Sequence, residues 1–189
     1  MNARLLLIPL IALLAACQSP RQQLDYDQSR DFSVYRSWSW QEPPLRYQPD
    51  DARLVSDLTE QRIREAVAEQ LDQRGLRPAG ETADADLRVQ AWMILDDRQH
   101  QIVTHYGSGF AWGHPWRGGY MAAPVYAESR SIDYQVGTLQ IDLIDTRDNR
   151  LVWRGSSSQV VSSRTLSPSD RAGEVRELVR QVLSQYPPR

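Results

Sequence analysis

The chain has 189 residues, 41% of them hydrophobic and 24% charged, with a formal net charge of -2. That composition suits one globular domain, and mixed charge with no long basic run argues against a nucleic-acid partner. All 22 Lys/Arg positions are arginine, and a single cysteine excludes an internal disulfide or a cluster of thiolate metal ligands.

Residues 1–16 have the pattern of an export signal. Arg4 supplies the positive charge, Leu5 to Leu14 form an apolar run, and small Ala15 and Ala16 follow. The run is shorter than the roughly 20 residues a helix needs to cross a bilayer. It closes in Leu14-Ala15-Ala16-Cys17, which resembles the bacterial lipobox. That resemblance implies diacylglycerol on the Cys17 sulfur, cleavage before Cys17 and a further acyl chain (palmitate or similar) on the new amino group. Each buried methylene is worth about 0.8 kcal/mol, and two or more chains anchor stably. The membrane is thus the expected partner, through lipid on Cys17. Gln18, where an Asp would mark inner-membrane retention, points to the outer membrane, facing the periplasm. Residues 17–24 are polar and patternless and are expected to form a lipidated tether, with 25–189 as a single domain.

Asp31 to Trp40 is rich in strand formers, and Pro43 and Pro44 are expected to end that strand. Asp50 and Asp51 are candidate helix-start residues. Val55, Leu58, Ile63, Ala66, Val67 and Leu71 then recur at helical spacing. Gly75, Leu76 and Pro78 after Arg74 fit a left-handed glycine cap with an apolar residue folding back. Asp86 to Leu95 alternates as a strand, with Leu87, Val89, Ala91, Met93 and Leu95 on one face. A turn is expected near Asp96 to Gln99, with Ile102 and Val103 opening a partner strand.

Ile132 to Asp145 is the longest strand candidate. Ile132, Tyr134 and Val136 share one parity, whereas Leu139, Ile141 and Leu143 share the other. A bulge at Gly137 is expected to absorb the switch. Thr146 to Arg150 reads as a turn, and Leu151, Val152 and Trp153 open the return strand toward Val160 and Val161. Ser167 before Pro168 starts a last helix whose stripe is Val175, Leu178, Val179, Val182 and Leu183. The expected fold is α+β: a mainly antiparallel sheet with two amphipathic helices packed on one face.

Several of these stretches together resemble one family. Asp25-Tyr26-Asp27, Asp31-Phe32-Ser33, Tyr35-Arg36 and Trp38 to Trp40 are similar to the opening of the domain-of-unknown-function 4136 bacterial lipoproteins. Further matches are Ala85-Asp86-Leu87 with Val89, the run Gly137 to Asp145, Leu151 to Gly155, and terminal Pro187-Pro188. The resemblance spans nearly the whole mature chain and implies an envelope lipoprotein with an α/β fold. It supplies no catalytic or ligand residues.

The residues offer little chemistry. His100, His105 and His114 with Asp96 and Asp97 are the metal candidates, but no HExxH-type spacing occurs. Gly107-Ser108-Gly109 lacks the second half of a nucleophile elbow, and a chain without lysine has no Walker A loop. Asp142 and Asp145 fall on opposite faces of a regular strand, with Asp142 expected to face solvent, which argues against a shared acid/base site. No catalytic, cofactor or metal residue is assigned, and the protein is expected not to be an enzyme.

The compositional anomaly is the Gly/aromatic stretch at about 106–126. Its candidate binding residues are Tyr106, Phe110, Trp112, Trp116 and Tyr120, interleaved with glycines and almost uncharged. Exposed aromatics of this kind suit an envelope protein, a cell-wall glycan or a lipid interface. The leading expectation is a non-catalytic envelope binding module. A periplasmic carrier of small apolar ligands or lipids, and a metal-dependent enzyme built on the His/Asp loop, are the alternatives.

Overall fold

The computed structural model describes residues 21–80, 84–106, 126–161 and 167–188. Cys17 and the export signal lie outside them. Strand β1 is Arg21–Tyr26, followed by a 3-10 turn at Phe32–Val34 and strand β2 at Ser37–Gln48. Helix α1 spans Asp57–Gln73, and a short β3 at Arg77–Pro78 follows. Strands β4 (Leu87–Tyr106), β5 (Tyr126–Asp145) and β6 (Arg150–Val160) lead to helix α2 at Pro168–Leu183.

The six strands form one sheet in the order β1-β6-β5-β4-β2-β3. The fold is α+β, as composition and element order suggest. The sheet, however, is mixed, not mainly antiparallel. β2 pairs parallel with both β3 and β4, while β1/β6, β4/β5 and β5/β6 are antiparallel. A strand, a helix and a second strand in sequence form a crossover, and a crossover through α1 brings β4 in parallel to β2.

Helix boundaries follow local chemistry. The Ser167 hydroxyl accepts from the Asp170 amide, and Pro168 begins α2, as expected. Gly75 takes φ +82, and the Leu76 amide donates to the Leu71 carbonyl, closing α1 as the Gly-Leu-x-Pro pattern suggests. The start of α1 falls later than Asp50 and Asp51 predict. Ser56 is the cap, accepting from the Thr59 amide, and the Tyr47 hydroxyl accepts from the Ser56 amide. Val55 and Leu58 are therefore exposed instead of joining the stripe, whereas Ile63, Ala66, Val67 and Leu71 are buried.

Four other expectations change. Phe32–Val34 is a 3-10 turn, so the strand begins only at Ser37. β2 then runs on through Pro43 and Pro44. Its register against β4 shifts between Trp40 and Leu45, where the buried Gln90 amide donates to the carbonyls of Pro43 (2.9 Å) and Pro44 (3.1 Å). A side chain thus replaces the ladder bonds that the prolines disturb. No turn interrupts Asp96 to Gln99, because β4 pairs with β5 without a break from Leu87↔Asp145 to Tyr106↔Tyr126. That same unbroken register excludes a bulge at Gly137; the irregularity lies between β5 and β6, at Leu143/Ile144.

One core joins both helices to the sheet. Leu87, Val89, Leu139, Ile141, Leu143 and Trp153 pack with Val67, Leu71, Val179 and Leu183, all fully buried. Each such aliphatic side chain stabilises by about 1.5–3 kcal/mol over an exposed one. β1 takes Arg21 to Leu24, the second half of the expected tether, into the sheet.

Candidate functional site

Two regions stand apart from the core: a polar clasp at one end of the sheet and a long ribbon at the other. The clasp centres on Asp145, which is fully buried at the end of β5. Its carboxylate accepts from the Tyr35 hydroxyl (2.8 Å), Arg30 Nη1 (3.2 Å) and Arg147 Nε and backbone N (both 2.9 Å). These donors, the Arg147 guanidinium above all, hold the Asp145 carboxyl well below the usual carboxylate range. Arg30 also meets Asp27 and Asp148, tying the segment after β1 to the β5–β6 turn.

Neighbouring groups are equally satisfied. Asp86 accepts from the amides of Arg36 (2.8 Å) and Ser37 (2.9 Å), which lowers its pKa. Arg74 donates to the carbonyls of Leu183 (2.8 Å), Tyr186 (3.1 Å) and Gln70 (2.7 Å), so one guanidinium closes the C-terminal ends of both helices. An open cleft of about 380 Å³ lies between, walled by Phe32, Tyr35 and Tyr186. Its aromatic wall is a run of edge-on contacts, Phe32 to Tyr35 and Phe32 to Tyr186, both at 5.9 Å. The cleft's charged neighbours are engaged in holding chain segments together, so the clasp reads as architecture.

Asp142 and Asp145 do serve different faces. Asp142 is not solvent-facing, though. Arg154 grips it with two bonds of 2.7 Å, and it is 5% exposed. It belongs to the open face of the sheet, opposite the helices, with Gln140 beside it and a Thr138–Ser158 hydroxyl pair next along.

The ribbon is the continuation of β4 and β5. Pairing of β2 with β4 ends at Ile94, and the β5–β6 ladder ends at Val136. Beyond them, among the described residues, only two strands go on, to Tyr106↔Tyr126. From Ile94 the ribbon projects roughly 40 Å at the ordinary antiparallel rise. Nothing from the core covers it: Gln99 to His105 and Ala127 to Asp133 are exposed throughout.

Its two faces differ. In the body, odd-numbered positions of β4 and β5 face the helices and, up to Asp145 at the end of β5, are apolar. Along the ribbon the same parity becomes largely polar, Val103 apart, with cross-strand bonds from Gln99 to Asp133 (3.0 Å) and Gln135 to Asp97 (2.8 Å). The even parity carries Ile94, Val136, Tyr134, Ile132 and Ile102, interleaved with Asp96, Arg98, His100, Glu128 and Arg130. Past Gly137 the apolar positions of β5, Val136, Tyr134 and Ile132, thus move to the even face, and they do so without a bulge.

Of the candidate binding residues, Tyr106 closes β4 at the ribbon's end, opposite Tyr126. Phe110, Trp112, Trp116 and Tyr120 lie outside the described residues, as does His114. His100 and His105 sit exposed on β4, and no group of three metal-ligating side chains occurs among the described residues. The parity pattern was the available signal for the ribbon face. It points to an exposed apolar face once the strand is known to outrun its neighbours.

A family model for a domain of unknown function, DUF4136, matches residues 22–188. A crystal structure of a DUF4136 family protein from Bacteroides thetaiotaomicron superposes with a TM-score of 0.51 at 16% identity. The match covers 90% of this chain and 97% of that one. A PDZ domain protein from Parabacteroides distasonis gives 0.52 at 14% identity, covering 95% of this chain but 39% of its own length. At these identities the likeness is one of fold alone. No curated protein matches the chain in sequence.

Proposed function

The chain belongs to the DUF4136 family, and on that footing we propose that it is a lipid-anchored, non-catalytic binding module of the bacterial cell envelope. The carrying observation is Leu14-Ala15-Ala16-Cys17 at the end of an export-signal pattern, four residues before the first strand. Acyl chains on Cys17 hold the domain at a membrane, and the β4–β5 ribbon, whose two strands flank the Gly/aromatic stretch in sequence, is the element that meets a partner. Among the described residues no helix is long and apolar enough to cross a membrane.

The space between helices and sheet is filled by the core cluster, which leaves the carrier alternative without a supporting observation. Asp96, Asp97, His100 and His105 are strung along one strand, which likewise gives the metal-dependent alternative none.

Two measurements test the proposal. Cells fed labelled fatty acid incorporate it into the wild-type protein and not into Cys17→Ser; an unlabelled wild type sinks the anchor. Crosslinking in cells then compares wild type with Trp112→Ala/Trp116→Ala. Loss of partner adducts in the variant supports the ribbon as the binding element, and an unchanged adduct pattern removes it.

A further inference from the structure

We infer that the β4–β5 ribbon lies along a lipid surface, with its even-numbered face, Ile102, Ile132 and Tyr134, turned to the lipid. This rests on Cys17 as a lipid attachment site, and adds to it an orientation and a second membrane contact.

The sheet register places the anchor and the ribbon at the same edge. Arg21 pairs with Ser158, Ser158 with Thr138, and Thr138 with Ile94, so these residues form one row across the sheet. Ile94 is where the ribbon leaves the body, and β1 is entered from that side. Arg21 and Ile94 are three strand spacings apart, about 14 Å.

Chain length then limits the orientation. Four residue steps separate Cys17 from Arg21, at most about 14 Å when fully extended. The opposite end of the sheet, at Leu87↔Asp145, lies roughly 24 Å from the Ile94 row, beyond the reach of that tether. The body therefore cannot turn its ribbon directly away from the membrane.

Nor can the ribbon point straight in. It outreaches the tether by about 25 Å, most of the ~30 Å hydrocarbon core. That would carry exposed Arg130 and Glu128 deep into it. Lying along the surface resolves both limits, keeping the charges at headgroup level and leaving one face of the ribbon against the lipid.

The two faces decide which one. The odd face carries the carboxylates of Asp97 and Asp133, bonded by Gln135 and Gln99 and uncompensated by any arginine of that face, with Val103 as its exposed large aliphatic; such a face suits water more than an anionic lipid surface. The even face holds Ile102 at 40% and Ile132 at 46% exposed, with Tyr134 between Ile132 and Val136. Arg98 and Arg130 stand on this same face, opposite Tyr134 and Ile102, and pair at 3.7 Å with Asp96 and Glu128 there; their long stems can lie along the apolar side chains with the charge at the headgroups. A strand face on which aliphatic and tyrosine side chains alternate with arginine is the chemistry of a membrane interface.

The test uses the full lipidated chain in vesicles of phosphatidylethanolamine and phosphatidylglycerol. Acylated Cys17 has no free thiol and is the chain's one cysteine, so an introduced cysteine takes an environment-sensitive fluorophore cleanly. Ile132→Cys labels the even face, Val103→Cys the odd face, and Arg150→Cys the far end of the sheet. With nitroxide-bearing lipids present, the label at 132 is expected to lose most of its emission, while those at 103 and 150 keep theirs. Equal loss at 132 and 103 would mean end-on insertion and overturn the orientation. No loss at 132 in protein that carries labelled fatty acid overturns the lipid contact and leaves the anchor standing. A 132–132 disulfide between copies in that case assigns the face to a second chain. Protein without fatty acid overturns both.

Discussion

The Tyr35 hydroxyl donates to the Asp145 carboxylate at 2.8 Å, joining residues 110 positions apart at the end of the sheet. Asp145 is fully buried and accepts from Arg30 and Arg147 as well, so its charge is balanced by donors from three segments. Tyr35→Phe removes one donor and leaves the rest, costing about 1–2 kcal/mol. Asp145→Asn removes the charge that organises them and costs more, roughly 2–3 kcal/mol. Urea unfolding of the two variants at neutral pH checks the order. Equal midpoints for Asp145→Asn and wild type would show that the clasp contributes nothing.

The same group sets an acid limb. In the unfolded chain Asp145 binds its proton near the ordinary aspartate value of about 3.9, whereas in the fold its carboxyl sits well below that. The unfolded state therefore holds more protons in acid, and stability rises with pH. The contribution is complete above about pH 5 and is lost as pH falls toward the folded value. Glu177, drawn down from an ordinary 4.5 to about 2 by Arg180 beside it on α2, acts in the same direction. The gap in urea midpoint between wild type and Asp145→Asn should be widest near neutrality and narrow between about pH 4 and pH 2. A gap that stays constant across that range would assign the effect to packing.

What was legible in the sequence was local. Ser167-Pro168 and Gly75-Leu76-x-Pro78 act within a few residues of themselves, and both helix ends fall where those residues put them. The alternation of Leu87, Val89 and Ala91 likewise reports one face of one strand. What failed depended on partners far along the chain. The continuation of β2 through Pro43 and Pro44 needs the Gln90 amide, 46 and 47 residues away. The later start of α1 needs the Tyr47 hydroxyl on Ser56. The burial of Asp142 needs Arg154 on the next strand. The ribbon face is an intermediate case: the parity switch was visible, but its meaning depended on knowing that β2 and β6 stop short. The family resemblance pointed to the α+β fold and offered no binding residue.

Gly155 marks a close approach that no turn requires. A Cβ there would fall 2.4 Å from Cη2 of Trp153 and 3.0 Å from the Val182 carbonyl oxygen. Trp153 is fully buried between sheet and α2, so the indole has no free space to move into. Gly155→Ala is expected to destabilise by about 1–3 kcal/mol through overpacking, with near-ultraviolet dichroism of the indoles changing as Trp153 is displaced. An unchanged thermal midpoint would mean that α2 yields easily. Gly75→Ala is the contrast. No atom stands within 4 Å of the added carbon, and only the φ of +82 resists it, at about 1 kcal/mol.

The ribbon should be dispensable for the fold and locally weak. Ile102 and Ile132 touch no core residue, so Ile102→Ser/Ile132→Ser should move the unfolding midpoint by less than about 0.5 kcal/mol. Leu139→Ala, in the same strand but fully buried, should cost about 2–5 kcal/mol. Hydrogen exchange on the unlipidated domain (Cys17 replaced and the signal removed) separates the two parts further. Amides of Leu87 to Ala91 and Leu139 to Leu143, bonded within a sheet packed on both helices, should exchange only with global unfolding. Those from Gln99 to His105 lie in a ribbon that has two strands among the described residues, and such ribbons are marginal in water. They should exchange many-fold faster. Slow exchange along the ribbon in the isolated domain would mean that something in solution already covers it, and a second copy of the chain would then be the first candidate, visible as a shift in mass by light scattering.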